Sequence, residues 1–593
     1  MTTPAAAHPR PTLRREAWTD LDGAWGFAHD DEDRGLAERW YAPEAAGRFD
    51  REITVPFVPE SEASGIHDTA FHPVLWYRRT ITAAARPGHR TLLHLGAVDH
   101  TADVWVDGHH AGRHVGGQTS FTLDLTDLLD AGEEHVLVVR ALDDPLDPEQ
   151  PRGKQDWREE PHGIWYHRST GIWRSVWLEE VAAQHITAVH STFDMRRARV
   201  ELSVRLARRP APGTTVRASL RAGEEALGSV EVSAHETRIE LVVDVPAVRN
   251  TQDRDRLLWS PEHPALVDMD LQVLEGGEVR DEAASYLGLR TTGIDRGHFL
   301  LNGEPYYVRS VLEQGYWPTS HLTAPSEDAR RREVELIKEL GFNAARIHQK
   351  VEDPRFLRWA DELGLLIWGE TANAYAYSPR AAALITAEWS EIVEQCRSHP
   401  SVVTWVPVNE SWGVRDLADS LPQRQLTVAL TALTKALDPS RPVVSNDGYE
   451  LMGGDVIALH DYTTDADALR RSWASEDSAA ALIAGRGPQR RRPIDDAAVD
   501  LHEGAPVMVT EFGGIAYAAQ GTWGYATVSS PEEYQEKVAS LFDALHASEV
   551  VTGFCYTQLT DTLQEANGLA DADRKPKLDP AVIRAFVTGH REG

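Results

Sequence analysis

Two β-sandwiches followed by a parallel (β/α)8 barrel is the multidomain architecture this sequence predicts, and three observations predict it. At 593 residues the chain is too long for one hydrophobic core at roughly 150 residues per domain. From about Trp18 to Leu289, short runs alternate apolar and polar residues between Gly, Asp and Pro turns, the mark of antiparallel sheets. From Tyr306 onward the apolar runs are continuous and separated by longer amphipathic stretches, the βα rhythm of a parallel sheet.

In the first stretch, Thr91 to Leu95, Ala102 to Val106 and His135 to Leu142 read as strands of a sandwich assigned to residues 1–182. In the second, Arg199 to Leu206, Thr215 to Leu220, Thr237 to Val243 and Met269 to Leu274 repeat the alternation. Residues 183–291 have the length of an immunoglobulin-like sandwich. The remaining unit, 292–593, holds eight apolar runs: Tyr306 to Leu312, Asn343 to His348, Leu365 to Glu370, Val402 to Glu410, Pro442 to Asp447, Val456 to Tyr462, Val507 to Phe512 and Thr552 to Gln558. Helical spacing predicts helices over Ser326 to Leu340, Ala381 to Ser398, Pro422 to Leu437 and Pro531 to His546. Eight such units fit a barrel. A doubly wound open sheet is the competing arrangement, but no GxGxxG loop follows any of the runs.

Composition removes several function classes. Sixty Lys and Arg against 92 Asp and Glu give a formal charge of −32, which repels nucleic acid. The basic cluster Arg490, Arg491 and Arg492, between two prolines, reads as a solvated loop. No apolar run approaches the roughly 18–20 residues of a membrane span. Cys396 and Cys555, both in apolar segments, offer neither a disulfide framework nor a thiolate metal site. Met1 to Arg15 has no apolar stretch resembling a signal peptide, so a cytoplasmic location is expected. No cofactor or metal is expected; a homo-oligomer is left open.

Catalytic groups of a barrel come from the carboxyl ends of its strands. On runs two to eight these ends read Arg346 and His348; Glu370; Asn409 and Glu410; Asn446 and Asp447; His460, Asp461 and Tyr462; Glu511; and Gln558 with Asp561. Glu410 and Glu511 end the fourth and seventh runs, which face each other across the mouth. A carboxylate there is costly to desolvate unless it is paired or used. Two of them about 5–5.5 Å apart can cleave an acetal with retention, as acid/base and nucleophile. The plain alternative is two carboxylates, each held by a neighbouring arginine.

Motifs along the chain carry a resemblance as well. They are Leu21-Asp22-Gly23-Ala24-Trp25, Trp76-Tyr77-Arg78-Arg79, Gly171-Ile172-Trp173-Arg174 with Val176-Trp177-Leu178-Glu179, Leu258-Trp259-Ser260-Pro261-Glu262 and Leu287-Gly288-Leu289-Arg290. In the barrel, Leu301-Asn302-Gly303, Asn409-Glu410 and Thr510-Glu511-Phe512-Gly513 complete the series. In this order they resemble glycoside hydrolase family 2, the β-galactosidases, β-glucuronidases and β-mannosidases, over essentially the whole chain. The resemblance implies a jelly-roll sugar-binding-like first domain. It also implies that Glu410 is the general acid/base, its pKa raised by apolar walls and the second carboxylate, and that Glu511 is the nucleophile. Asn409 would then bond the sugar 2-hydroxyl, and Tyr462 would orient the nucleophile.

Further contacts are expected on chemical grounds. Arg346 can keep Glu511 ionised or serve as a structural ion pair. Glu370 and Asp447 can accept from sugar hydroxyls or support loops. Trp412, like Trp317, Trp368 and Trp523, can stack on a sugar or anchor a loop. The segment Gln150 to Gln155 reads as a surface loop, with reach to the barrel mouth as the alternative.

The chain departs from the family pattern in three places. Arg346-Ile347-His348-Gln349-Lys350 stands where galactosidases and glucuronidases carry Arg-Thr-Ser-His-Tyr-Pro, so His348 and Lys350 are ligand contacts or partners of Glu352 and Asp353. The Asn-x-Lys of glucuronidases is Asn567-Gly568-Leu569, which removes the lysine that pairs with a sugar carboxylate. Lys350 or Arg152 could supply that charge from another direction. Phe554 to Gln558 lacks the family's tryptophan, and no further β domains or Mg²⁺ site like those of the large galactosidases are indicated.

The expected function is a retaining exo-β-glycosidase acting on terminal non-reducing β-D-galactoside-like residues, a small carbohydrate substrate. β-D-Galactofuranosidase, β-glucuronidase and β-mannosidase activities follow. A non-catalytic, lectin-like carbohydrate-binding protein is the rival from another class.

Overall fold

The computed structural model describes residues 8–83, 86–130, 134–488, 490–494, 503–517 and 522–589; the first seven residues of the Met1–Arg15 stretch lie outside them. Near the N-terminus, a four-stranded antiparallel sheet (Trp18–Asp20, Val176–Ala182, His89–Leu95, Phe121–Asp124) packs on a six-stranded one built around Val74–Thr82 and Glu134–Leu142. Their inward residues, including Trp25, Phe27, Tyr77, Leu93, Val104 and Val139, form one core. The next sandwich pairs three strands with four, the strand count of a constant-type immunoglobulin fold. In Arg238–Asp244 only Ile239, Leu241 and Val243 are buried, the period of two that sets which face turns inward.

The barrel strands are β1 (Val308–Glu313), β2 (Ala344–Ile347), β3 (Leu366–Glu370), β4 (Val402–Val406), β5 (Ile457–Asp461), β6 (Val507–Gly513) and β7 (Val551–Thr557). They form a parallel sheet in the order β4-β3-β2-β1-β7-β6-β5. The expected fifth run, Pro442 to Asp447, is not a regular strand. It closes the gap between β4 and β5 through single parallel bridges, Trp405 to Val443, Asn409 to Asp447 and Gly448 to Leu459. Local chemistry explains the difference: Pro442 lacks an N–H, and side chains there divert backbone partners. Asn446 Oδ1 accepts from Ser411 N at 2.8 Å, and Ser445 Oγ from Met452 N at 3.0 Å.

Helices α1 (Glu327–Glu339), α2 (Pro354–Leu363), α3 (Pro379–Cys396), α4 (Leu421–Leu437), α5 (Ala466–Trp473), α6 (Glu476–Ala484), α7 (Pro531–His546) and α8 (Pro580–Thr588) surround the sheet. Those starting at a proline share one device. Asp353, Ser378, Ser530 and Asp579 cap the first turn with a side-chain oxygen, and the proline follows where its missing N–H costs nothing. Among the described residues no helix is long and apolar enough to cross a membrane.

The first sandwich is docked on the barrel by polar contacts. Glu388 on α3 accepts from Gln118 N at 2.7 Å, Gln118 Oε1 accepts from Val351 N at 3.0 Å, and Arg174 donates to the carbonyls of Gln118 and Val351.

Candidate active site

Arg346 at the end of β2 is the hub of the barrel mouth, with no solvent exposure. Its Nε meets Glu370 and lies 3.0 Å from Asp447. Nη1 donates to Glu511 Oε1 at 2.7 Å and to the Thr510 carbonyl at 3.2 Å; Nη2 donates to Asn409 Oδ1 at 2.6 Å. A guanidinium can be buried only if its donors are met in this way. Burial works against its charge, but Asp447, Glu370 and Glu511 outweigh it and raise its pKa well above the ordinary value. Both roles expected of Arg346, ion pair and partner of Glu511, are thus combined in one contact set.

Glu410 follows β4 in left-handed backbone (φ 48°), as does Ser411 (φ 59°), an uncommon conformation for side-chain-bearing residues. It is held by Glu410 N donating to Asp447 O at 2.9 Å and by the Ser411–Asn446 bond. The turn aims Glu410 back over the mouth, where one of its carboxylate oxygens, one of Glu511 and a ring nitrogen of His460 lie within 4.8 Å of one another. Tyr462, just past β5, donates its hydroxyl to Glu511 Oε2, and Tyr525 stacks on it with ring centroids 3.5 Å apart. Asn409 Nδ2 is buried without a partner among the described residues, a donor open to a ligand hydroxyl.

The protonation of Glu410 differs from expectation. His460, fully buried, donates from Nδ1 to Glu410 Oε1 at 2.8 Å, and its Nε2 lies 3.4 Å from Glu511. Burial opposes a charge on the ring, but Glu511, Asp447 and Glu410 together raise its pKa to about 10. Burial likewise favours neutral Glu410, yet the His460 hydrogen bond and charge lower it to about 2 rather than raising it. The predicted effect of the apolar walls is present; an imidazolium not counted among the site residues overrides it.

Other expected contacts divide. Glu370 and Asp447 are spent on Arg346, with Glu370 also accepting from Gln349 N at 3.0 Å; at 2% and 0% exposure they support the site rather than face a sugar. Burial leads the influences on Glu370, raising it to about 7. His348 is buried, and its Nδ1 lies 3.4 Å from Glu370 without a hydrogen bond. Burial first, then Lys154, lowers its pKa well below the usual value. Lys350 is corrected to a structural role: its ammonium meets the Gly315 carbonyl at 3.0 Å, the Leu322 carbonyl at 3.1 Å and Glu352 at 2.8 Å, which uses all three protons. Trp412 packs on Tyr375 and on Trp165 of the first sandwich, with Arg415 3.9 Å above its ring.

The Gln150–Gln155 segment is not a surface loop. Arg152 N and Gly153 N donate to the Asn373 carbonyl after β3, at 3.2 and 3.1 Å, and Tyr375 donates to the Gly153 carbonyl. Gly153 (φ +59°) sits so close that a Cβ there would lie 2.2 Å from the Gln349 carbonyl. Arg152 donates to the carbonyls of Pro145 and Asp147 and has no reach left for a substrate. Lys154 instead faces the barrel. It was legible only as one lysine in a polar loop; His460 was legible as a strand-end imidazole without a role.

Among the described residues, two groups of ligand atoms are close enough for a metal ion: Glu410, His460 and Glu511, and the first-sandwich set His29, Asp68 and His72. In the first, hydrogen bonding already joins His460 to Glu410.

Three family profiles match the chain in order: the sugar binding domain of glycosyl hydrolases family 2 at residues 18–182, the central family 2 domain at 184–290 and the family's TIM barrel domain at 293–584. The chain belongs to glycosyl hydrolases family 2. Among relatives, a putative β-glucuronidase of Formosa agariphila is 27% identical over 63% of this chain and 45% of its own length. A β-galactosidase of Thermoanaerobacter pseudethanolicus is 26% identical over 62% and 48%. The chain thus spans about half the length of these two. A β-glucuronidase of Paenibacillus borealis is 25% identical over 97% of this chain and 98% of its own.

Two solved structures share the family 2 fold. One is a β-glucuronidase of an uncultured Clostridium species (TM-score 0.78, 19% identity, 98% of this chain and 99% of that one). The other is a family 2 β-galacturonidase of Eisenbergiella tayi bound to galacturonate (TM-score 0.73, 19% identity, 98% of each chain).

Proposed function

We propose that this family 2 protein is a retaining exo-β-glycosidase in which Glu511 attacks the anomeric carbon and Glu410 transfers the proton. The observation that carries the reading is the convergence of the two carboxylates on one barrel mouth, where an oxygen of Glu410 and an oxygen of Glu511 lie within 4.8 Å of each other, a closeness that supports a double displacement, whose carboxyls stand roughly 5–5.5 Å apart. The hydrogen bonds that Glu511 accepts from Arg346 and Tyr462 support its role as nucleophile. Glu410 has 16% side-chain exposure and a proton donor behind it in His460, which suits the residue that meets the leaving oxygen and later the water. The unpartnered Asn409 Nδ2 supports a contact to the sugar 2-hydroxyl, one that strengthens as oxocarbenium character develops. The first-sandwich loop against Asn373 and Tyr375 walls one side of the mouth, which supports cleavage of terminal residues. A lectin-like scaffold has no need of this paired arrangement.

The substrate in this reading is a terminal β-linked glycosyl residue. Sequence alone ranks neutral β-galactosides above β-glucuronides because Leu569 replaces a lysine; the relatives named β-glucuronidase weigh the other way. For the residue roles, Glu511→Ala should lose hydrolysis of nitrophenyl glycosides and recover rate with azide, giving the α-glycosyl azide. Rescue of Glu410→Ala with inversion instead would reverse the assignment.

A further inference from the structure

We propose that the pocket beside the catalytic pair contains a carboxylate subsite, in which Lys154 of the first sandwich holds the C6 carboxylate of a β-linked hexuronic acid. The inference rests on the glycosidase reading and adds the class of sugar to it. Lys154 is half-buried, and its ammonium has no hydrogen-bond or ion-pair partner among the described residues; it lies over the Tyr166 ring, 6.0 Å from Nζ to centroid. In a chain with 92 acidic against 60 basic residues, an unpaired cation at a barrel mouth calls for a reason. The neighbouring cations are all engaged: Arg346 by three carboxylates, Lys350 by two carbonyls and Glu352, Arg152 by carbonyls, and Lys577 by Asp561 at 2.7 Å.

The surroundings of Lys154 point to a ligand independently. It lines a narrow cavity of about 10 Å³ with Tyr166, Gln314, Tyr316, His348 and Gln349, room for a carboxylate oxygen and not for the sugar ring. Among the described residues, Gln314 Oε1 and the Tyr316 hydroxyl of that lining are buried without a hydrogen-bond partner, and His348 Nδ1 has only Glu370 at 3.4 Å, without a hydrogen bond; the three residues are 4%, 3% and 4% exposed. Unmet polar atoms at such depth are costly, and a carboxylate reaching in from the sugar would meet them. The cavity belongs to the reaction site. Gln314 Nε2 donates to Gln558 Oε1 at 2.6 Å just beyond β7, and the charge of Lys154 acts on both Glu410 and His348.

Position is fixed by packing. The Lys154 carbonyl accepts from Tyr166 N at 2.8 Å, the Tyr166 hydroxyl donates to Glu565 at 2.6 Å, and Gly153 is pressed on Gln349. At the family's usual lysine position Leu569 has no exposure, so the barrel supplies no carboxylate partner there. An ammonium that shares a cavity with the Tyr316 hydroxyl and the His348 imidazole suits a carboxylate, whereas the hydroxymethyl of a neutral hexose leaves the ammonium unpaired.

The test compares p-nitrophenyl β-D-glucuronide and β-D-galacturonide with the corresponding glucoside and galactoside, in the wild type, Lys154→Met and Lys154→Arg. The wild type should favour a uronide. Lys154→Met should lower its kcat/KM by roughly 10- to 100-fold, mainly through KM, as expected for one charge-assisted hydrogen bond. Neutral substrates should not share this loss, since for them the ammonium has no carboxylate to pair with, and Lys154→Arg should keep part of the uronide activity. Faster wild-type turnover of neutral sugars, or an equal loss for both classes, overturns the proposal and leaves the glycosidase reading intact. If no glycoside is turned over, that reading fails, and calorimetry with free D-glucuronate and D-galacturonate still decides the subsite. Binding by the wild type that is at least about tenfold weaker in Lys154→Met supports it; equal binding or none overturns it.

Discussion

Replacing His460 with asparagine keeps a hydrogen-bond donor near Glu410 and removes the charge. Burial opposes that charge, yet Glu511, Asp447 and Glu410 raise the imidazole from 6.5 to about 10. The rise corresponds to on the order of 5 kcal/mol of interaction. Between about 2, where Glu410 is held, and about 10, the pair carries one proton, and protonated Glu410 is a minority form of constant fraction. A substrate with a poor leaving group should therefore show kcat/KM level through neutrality, with its basic limb near the loss of the pair's last proton. In His460→Asn the proton rests on Glu410 alone, and the basic limb should fall by roughly 2 pH units or more. A dinitrophenyl substrate, whose aglycone leaves unprotonated, should be much less affected. Basic limbs that coincide in the two enzymes, or equal losses for both leaving groups, would refute the shared-proton argument. Stability gives a second reading with a definite sign. The folded pKa of His460 lies above the unfolded one, so its stabilisation is complete below pH 6.5 and is lost as pH rises toward 10. The denaturation midpoint of the wild type should fall over that window more steeply than that of the variant.

Three further outcomes follow from the contacts. Arg346→Met leaves Glu370, Asp447 and Glu511 without their shared cation and should cost about 3–5 kcal/mol in chemical denaturation, with activity lost. Tyr462→Phe removes one donor from Glu511 and should lower kcat by roughly 10- to 100-fold, with KM and melting temperature little changed. Gly153→Ala brings a methyl group against the Gln349 carbonyl in left-handed backbone. It should cost about 2 kcal/mol or more by thermal melting and raise KM by displacing Lys154.

What the sequence disclosed follows from the range of each interaction. Ser-Pro and Asp-Pro helix starts, alternating strands and strand-end carboxylates are local signals, and β1 to β7 fall on seven of the eight runs. The fifth run satisfied an apolar pattern, but its bonding was decided by Ser445 and Asn446. Lys350 and Lys154 look alike as single lysines in polar loops. Two carbonyls and Glu352 enclose the first, while docking of the loop on Asn373 leaves the second unpaired. The state of Glu410 depended on an imidazole fifty positions further along the chain, a distance no motif spans.

The distribution of charge ties these observations together. Around the anomeric position, Arg346 and His460 face Asp447, Glu410 and Glu511, with Glu370 near half-ionised at neutral pH. The cluster is therefore net negative, which favours the positive charge that develops on the sugar ring as the bond breaks. Lys154 stands outside this network and close enough for its charge to act on Glu410. Left unpaired, it would oppose the same transition state. A carboxylate on the substrate cancels it without drawing charge from Glu511 or Glu410. A hexuronide then gains twice, from the pair it forms and from the opposing field it removes, and part of its advantage should appear in kcat even for an enzyme saturated with substrate.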